Sequence, residues 1–216
     1  MNLSFRVGDD RKCVEENRRR FFGSLGVDPQ RLAVPHQCHS DNILFVTHPG
    51  EYDSCDGLLT IAPNLPLVIT VADCLPVVLF DSGKGVLGHV HAGWRGTAAS
   101  IVRKAVTMMS NDFGSSPGTM VAYLGPSAGV CCYEVGEEVA DRFLPSQLET
   151  RDGKLFLDLK KANMDQLLEC GLQLRNIEVS TFCTICTPEL FHSYRRNRDK
   201  SGRMMAVVNI VGNEAV

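Results

Sequence analysis

Apolar positions along the chain fall into short runs with two different periods. After Asp9-Asp10, the residues Cys13, Val14, Phe21 and Phe22 recur at helical spacing. Either aspartate can cap the helix they predict, which ends near Gly26. Short apolar runs then predict strands at 32–34, 43–46, 67–71, 77–80 and 86–90. A helix is expected after Gly96, ending near Asn111 before the turn-rich Gly114-Ser115-Ser116-Pro117-Gly118. A strand at 120–124 follows, broken by Gly125-Pro126-Ser127, and then a short helix from Glu134 to Phe143. A strand at 155–157 leads to Asp158, which caps a helix running to Gly171, and late strands are expected at 177–180 and 204–210.

Strands come in consecutive runs as well as alternating with helices. That order predicts an α+β chain with mixed sheets, not a regularly wound parallel sheet. No repeat, linker or low-complexity stretch interrupts the 216 residues, so one domain over 1–216 is expected. Neither a Gly-rich dinucleotide fingerprint nor a P-loop is present.

Composition narrows the picture by exclusion. A hydrophobic content of 44% with 22% charged residues is that of an ordinary globular chain. The formal net charge of -3 leaves no basic footprint, which argues against nucleic acid as a partner. Arg18-Arg19-Arg20 follows Glu15-Glu16 on the first helix and reads as a solvated face. The first ten residues lack the apolar core of an export signal, and no apolar run approaches the roughly 18 residues of a membrane span. Nine cysteines in such a chain read as reduced thiols, with the cytoplasm as the expected compartment.

The chemistry concentrates in three segments. His89-Val90-His91-Ala92-Gly93-Trp94-Arg95-Gly96 lies where a strand ends and a helix begins; Ala72-Asp73-Cys74-Leu75-Pro76 and His36-Gln37-Cys38-His39-Ser40 lie upstream. Together they offer imidazole and thiolate, which suit zinc, and three ligands at neighbouring strand ends would leave a fourth position for water. Such a metal would bring its water to a pKa near ~7. Asp73 could act in proton transfer or orient a ligand histidine. Spacing alone does not choose between His36 and His39, or between His89 and His91. Cys74 and His91 could equally form a metal-free nucleophile and base, and buried cysteine also packs as a plain apolar residue. Arg95, beside a glycine turn, is the leading anion candidate. Trp94 reads first as a core anchor. Tyr194-Arg195-Arg196 with Arg203 could close over an anionic substrate or form surface ion pairs. Cys183-Thr184-Ile185-Cys186 has metal spacing, but no second pair stands at zinc-ribbon distance, and Cys131-Cys132 are adjacent; packing roles are expected for all four.

Taken together, His91-Ala92-Gly93-Trp94-Arg95-Gly96, Ala72-Asp73-Cys74-Leu75-Pro76, Asp56-Gly57-Leu58, Gly125-Pro126-Ser127 with Cys132-Tyr133-Glu134-Val135, and Phe191-His192-Ser193-Tyr194-Arg195-Arg196 with Gly202-Arg203 resemble the YfiH-like family. That family was first described as laccase-domain polyphenol oxidases and is now described as zinc-dependent purine nucleoside phosphorylases. The resemblance covers nearly the whole chain. It implies a layered α/β sandwich with two mixed β-sheets flanked by helices, a fold shared with a toxin cysteine deamidase. It also implies His39, Cys74 and His91 as zinc ligands. With the chemistry read above, Asp73, Cys74 and His91 are the expected catalytic residues, and Arg95, Trp94 and Arg196 the expected substrate or phosphate contacts. The implied substrates are purine nucleosides (adenosine, inosine, guanosine, methylthioadenosine) and phosphate, with adenosine deamination alongside; no nucleic acid and no membrane is expected as a partner. The alternatives are a metal-free cysteine hydrolase, a copper polyphenol oxidase and a non-catalytic metal-binding regulator. Copper ranks below zinc, because one histidine-rich locus is evident and an axial methionine is not. Family members carry a Thr-Arg-x-Gly-Gly-Val-Ser-like segment ahead of Asn-Leu-Ser. Here Met1-Asn2-Leu3-Ser4 opens the sequence, so that N-terminal strand, with its arginine, is expected to be lacking.

Overall fold

Asp10 opens the first helix, α1 (Arg11–Leu25), by accepting the Lys12 N–H, and Gly26 ends it at a left-handed φ of 64°. The structure, a computed structural model, describes residues 1–212. Seven strands follow α1: β1 (Ala33–Pro35), β2 (Ile43–Phe45), β3 (Gly50–Tyr52), β4 (Gly57–Thr60), β5 (Leu67–Val71), β6 (Leu75–Asp81) and β7 (Val86–Ala92). Helices α2 (Trp94–Ala98) and α3 (Ile101–Phe113) come next, then β8 (Val121–Leu124), β9 (Glu134–Val135) and α4 (Glu137–Ala140). The remainder is β10 (Leu148–Arg151), β11 (Lys154–Leu157), α5 (Leu159–Glu169), β12 (Ile177–Val179), α6 (Tyr194–Asn197) and β13 (Met204–Val208).

Two mixed sheets form the frame. One has six strands in the order β12-β8-β6-β7-β4-β2, the other four in the order β13-β5-β1-β3, and a small sheet β10-β11-β9 stands apart. The pairs β6–β7, β4–β7 and β6–β8 are antiparallel, while β2–β4 and β12–β8 are parallel. One face of the six-stranded sheet packs Val77, Leu79 and Val90 against Val102, Val106 and Met109 of α3. Its other face sets Leu58 and Leu87 on Ala33 and Leu67 of the four-stranded sheet. Beyond that sheet, Val68 packs on Phe22 of α1. The layers therefore run helix, sheet, sheet, helix, as expected. β7 is covered on both faces, which is why 86–92 reads as a near-continuous apolar run instead of an alternation.

Three local expectations differ from the structure. The single helix after Gly96 is two, because Ser100 takes a left-handed φ of 62° between α2 and α3. The carbonyl freed at Thr97 accepts from the Ser100 N–H and the Gln166 side chain, and Asn163 donates to the Thr97 hydroxyl. The expected helix at 134–143 begins as a strand: Glu134 and Val135 pair with Phe156 and Leu155, and helical structure starts only after Gly136. Strands β3, β4 and β10 were not expected: Gly50-Glu51-Tyr52 and Leu148-Glu149-Thr150-Arg151 carry no apolar run and β4 has only Leu58-Leu59, so it is their sheet neighbours that hold them extended.

Candidate metal centre and its cleft

Three loops converge at one end of the β6–β7–β4 ladder. Asp73 makes the tight turn from β5 to β6 at a φ of 90°, which delivers Cys74 immediately before Leu75. His91 stands on β7, paired across to Pro76 of β6. His39, itself at a φ of 60°, lies on the loop between β1 and β2. A ligand atom from each of His39, Cys74 and His91 lies within 4.8 Å of the others. The two imidazoles meet edge to face, with ring centroids 5.1 Å apart.

Asp56, fully buried just before β4, is the organiser. Its Oδ1 accepts from the His39 N–H at 3.0 Å and from His91 Nδ1 at 2.8 Å. Its Oδ2 accepts from the Cys38 and Ser40 N–H groups at 3.1 and 2.7 Å and from the Ser40 hydroxyl at 2.8 Å. A carboxylate accepts only, so Nδ1 of His91 carries a proton and Nε2 is left as the donor for a metal. Burial alone would raise the Asp56 pKa, but His91 and Ser40 hold it well below the usual carboxylate range. Burial likewise opposes a thiolate at Cys74, yet the neighbouring His91 and His39 bring that thiol down to about 6. Against the same desolvation, Cys74 and Asp56 raise His91 to about 9.

The glycines after His91 are there for space. A Cβ on Gly93 would lie 3.0 Å from Cys74 Sγ and 3.4 Å from His39 Cδ2, and one on Gly96 would lie 3.0 Å from the Ser40 carbonyl. The β7–α2 turn can thus close over the three ligand loops without side chains intervening.

A cleft of about 360 Å³ opens beside the centre, lined by His39, Ser40, Trp94, Arg95 and Arg142 among others. The Arg95 and Arg142 guanidiniums lie 4.4 and 5.9 Å from the Trp94 ring centroid. A larger cleft of about 540 Å³, bordered by Leu3, Phe21, Phe191 and His192, includes none of His39, Cys74 and His91.

Of the residues expected from the sequence, His39, Cys74 and His91 come together, with Trp94 and Arg95 at the adjoining cleft. Asp73 faces elsewhere: its carboxylate accepts from the Thr184 hydroxyl at 2.7 Å, the Ser193 hydroxyl at 3.0 Å and the Arg195 N–H at 2.6 Å. The carboxylate that orients the candidate ligand His91 is that of Asp56, a residue present in the motif but given no role from sequence. Arg196 borders the larger cleft and donates to the carbonyls of Thr184, Ile185 and Phe191, bracing that loop. Arg142, forty-seven positions from Arg95, was missed because nothing local marks it. His36 pairs with Glu51 and Asp53. His89 lies between the two sheets, its Nδ1 3.2 Å from the Leu67 carbonyl. The four cysteines expected to pack separately are gathered instead, since the 130–132 turn brings Cys131 and Cys132 onto Cys183 and Cys186.

The sequence profile described as multi-copper polyphenol oxidoreductase laccase matches residues 1–211. The chain belongs to this laccase-domain family. It is 36% identical over 226 residues to the purine nucleoside phosphorylase YlmD of Geobacillus stearothermophilus, covering 96% of this chain and 82% of that protein. The crystal structure of that YlmD superposes with a TM-score of 0.92 at 35% identity, covering 98% of this chain and 85% of the other. The crystal structure of the Bacillus licheniformis hypothetical protein YfiH gives a TM-score of 0.91 at 35% identity, over 97% and 85%. Another relative, the adenosine deaminase RL5 from an unknown prokaryotic organism, is 33% identical, over 94% of this chain and 84% of that one. The fold expected from the sequence is that of the laccase-domain family, and the chain carries a candidate His/Cys metal site within it.

Proposed function

We propose that this laccase-domain chain is a zinc-dependent purine nucleoside phosphorylase that also deaminates adenosine, acting on adenosine, inosine, guanosine and methylthioadenosine. The observation that carries the proposal is a two-imidazole, one-thiolate cluster beside a cleft that bears Trp94 and two arginines. The names of the relatives supply the chemistry to be tested. The donor set suits zinc: three protein ligands with a further position open, one of them held by a carboxylate. A bound zinc would supply Lewis acidity and an activated water.

The rest is done by the chain's own residues. Arg95 and Arg142 place two positive charges where a phosphate dianion would lie. The Trp94 indole offers an apolar wall to the nucleoside. Asp56 holds the His39 loop and His91 in fixed geometry. Asp73 is best assigned a positioning role: it ties the turn before Cys74 to Thr184, Ser193 and Arg195. In phosphorolysis a phosphate oxygen forms a bond to ribose C1′, the bond from C1′ to the purine nitrogen breaks, and the purine leaves with a proton. In deamination water adds at C6 and ammonia leaves. Several copper ions would require several imidazole-rich sites, whereas among the described residues only two of the six histidines join a ligand cluster. No helix among the described residues is long and apolar enough to cross a membrane, and all nine cysteines are free thiols, which fits the cytoplasm as the proposed compartment.

One observation favours a second reading. Without metal, a Cys74 thiol near 6 beside a His91 imidazole near 9 makes a thiolate–imidazolium pair, the nucleophile and base of a cysteine hydrolase. Zinc-loaded protein should be incubated with each nucleoside across a phosphate titration, and free base and inosine separated by chromatography. Formation of free base that rises with phosphate and disappears on chelation supports the proposal. No base and no inosine from the zinc-loaded protein sinks it, and an activity that survives chelation but not Cys74→Ala transfers the site to the cysteine-hydrolase reading.

A further inference from the structure

We propose that Cys131, Cys132, Cys183 and Cys186 bind a second metal ion, a structural zinc that clamps the turn at 130–132 to the turn at 183–186. The four sulfurs all lie within 4.8 Å of one another. A tetrahedral zinc with Zn–S bonds of about 2.3 Å has sulfur–sulfur edges of about 3.8 Å. The Cys131 and Cys186 sulfurs are 3.8 Å apart, the length of one such edge. The four cysteines are free thiols, and Cys183-x-x-Cys186 has the spacing of half a zinc knuckle.

Tertiary structure supplies the other half. Residue 183 bridges to Ser127, and the Thr184 N–H donates to the Ser127 carbonyl at 3.0 Å, so the two turns lie side by side. Adjacent cysteines in an extended strand would point apart. Here the Cys132 and Tyr133 N–H groups both close on the Gly129 carbonyl, which coils the segment. The coiled backbone lets the sulfurs of Cys131 and Cys132 both lie within 4.8 Å of those of Cys183 and Cys186.

The surroundings fit a cluster of thiolates. The Gly129 N–H donates to Cys183 Sγ at 3.2 Å. A Cβ on Gly129 would fall 3.1 Å from Cys183 Cβ and 3.2 Å from Cys131 Sγ, so the glycine keeps the sulfurs' side of the turn open. Three cations hold backbone carbonyls at or beside these turns: Arg151 at Val130, Lys160 at Ser180 and Phe182, and Arg196 at Thr184 and Ile185. Four thiolates around a divalent ion leave a net charge of about −2, which those cations offset. A four-sulfur tetrahedral set selects zinc or iron, and hard cations are excluded.

Its place explains its use. Thr184, between the two cysteines of the knuckle, donates to Asp73, the residue before Cys74. A metal that fixes this turn fixes Asp73 and through it the loop that presents Cys74. The second site is thus a brace for the first, although its existence does not depend on the activity proposed above.

Elemental analysis of protein purified without chelator tests this. Wild type should hold about two zinc ions per chain, Cys74→Ala about one, and the double variant Cys131→Ser/Cys186→Ser about one. In Cys74→Ala, cobalt exchanged for zinc should show the intense near-ultraviolet thiolate charge-transfer and visible bands of a four-sulfur tetrahedral site, so the proposal does not depend on the double variant folding. A Cys74→Ala protein that binds neither zinc nor cobalt overturns the proposal. So does native iron in the site, or a Cys131–Cys186 disulfide in the freshly isolated protein. If the His39–Cys74–His91 centre is not a zinc site, wild type and Cys74→Ala will both hold about one ion, which separates the two failures.

Discussion

Asp56→Asn tests the organisation of the centre with almost no change of volume. Six donors converge on the carboxylate: the N–H groups of His39, Cys38 and Ser40, the Cys38 thiol, the Ser40 hydroxyl and His91 Nδ1. The Oδ2 side receives four of them and Oδ1 two, so an asparagine will turn its carbonyl toward Cys38 and Ser40. Its NH₂ then meets the His39 N–H and His91 Nδ1. The His39 N–H loses its acceptor, and His91 can satisfy the amide only by accepting at Nδ1, which puts its proton on Nε2 and blocks the metal donor. Loss of such an orienting partner weakens metal binding by about 10–100-fold. The metal-free protein should lose at least about 2.5 kcal/mol, one charge-assisted hydrogen bond plus a buried orphan N–H. Zinc affinity would be measured by competition with a chromogenic chelator, and stability by urea unfolding of the metal-free form. An Asp56→Asn protein that binds zinc within about threefold of wild type, with an unchanged urea midpoint, would refute the assignment of Asp56 as the residue that sets the ligand geometry.

Other substitutions separate the remaining roles. Asp73→Asn should keep its zinc but lose about 1.5–3 kcal/mol of stability and about tenfold or more in kcat; full kcat with native stability would remove it as a positioning residue. Arg95→Ala and Arg142→Ala should each raise the KM for phosphate about tenfold or more, corresponding to a lost charge-assisted contact of about 1.5–3 kcal/mol, while adenosine deamination changes little; equal loss of both activities would place the arginines outside a phosphate site. His89 makes a pH prediction. Burial brings it down to about 4, against an ordinary value of 6.5, and its Nε2 has no partner among the described residues. The unfolded chain takes up this proton first as pH falls, so the stability is present above 6.5 and lost between 6.5 and 4, by about 3–4 kcal/mol at about 1.4 kcal/mol per unit. Metal-free His89→Leu should therefore resist acid better than wild type in urea titrations at pH 7 and 4.5; parallel losses in the two proteins would show that His89 is not the acid-sensitive group.

Much was legible in the sequence because it is locally encoded. Asp10 and Asp158 cap the helices they were expected to cap, and Gly26 ends α1, since a cap needs only a few consecutive residues. The apolar runs of β5, β6 and β7 mark the sheet interior, and the His-x-His and Asp-Cys segments at their ends mark where chemistry gathers. What could not be read there was which polar side chains meet. Asp56 and His91 are thirty-five positions apart, and the two cysteine pairs are separated by more than fifty, each joined only when β4 lies on β7 and residue 183 lies beside Ser127. Hydrogen-bond and ligand geometry is set in ångströms by the packing of whole layers, whereas periodicity reports only which face of an element is buried. The sequence by itself thus determined most of the elements, the family resemblance and the candidate ligand types. Tertiary structure alone decided that Asp56, not Asp73, holds His91, that Arg142 joins Arg95, and that four scattered thiols gather within 4.8 Å of one another.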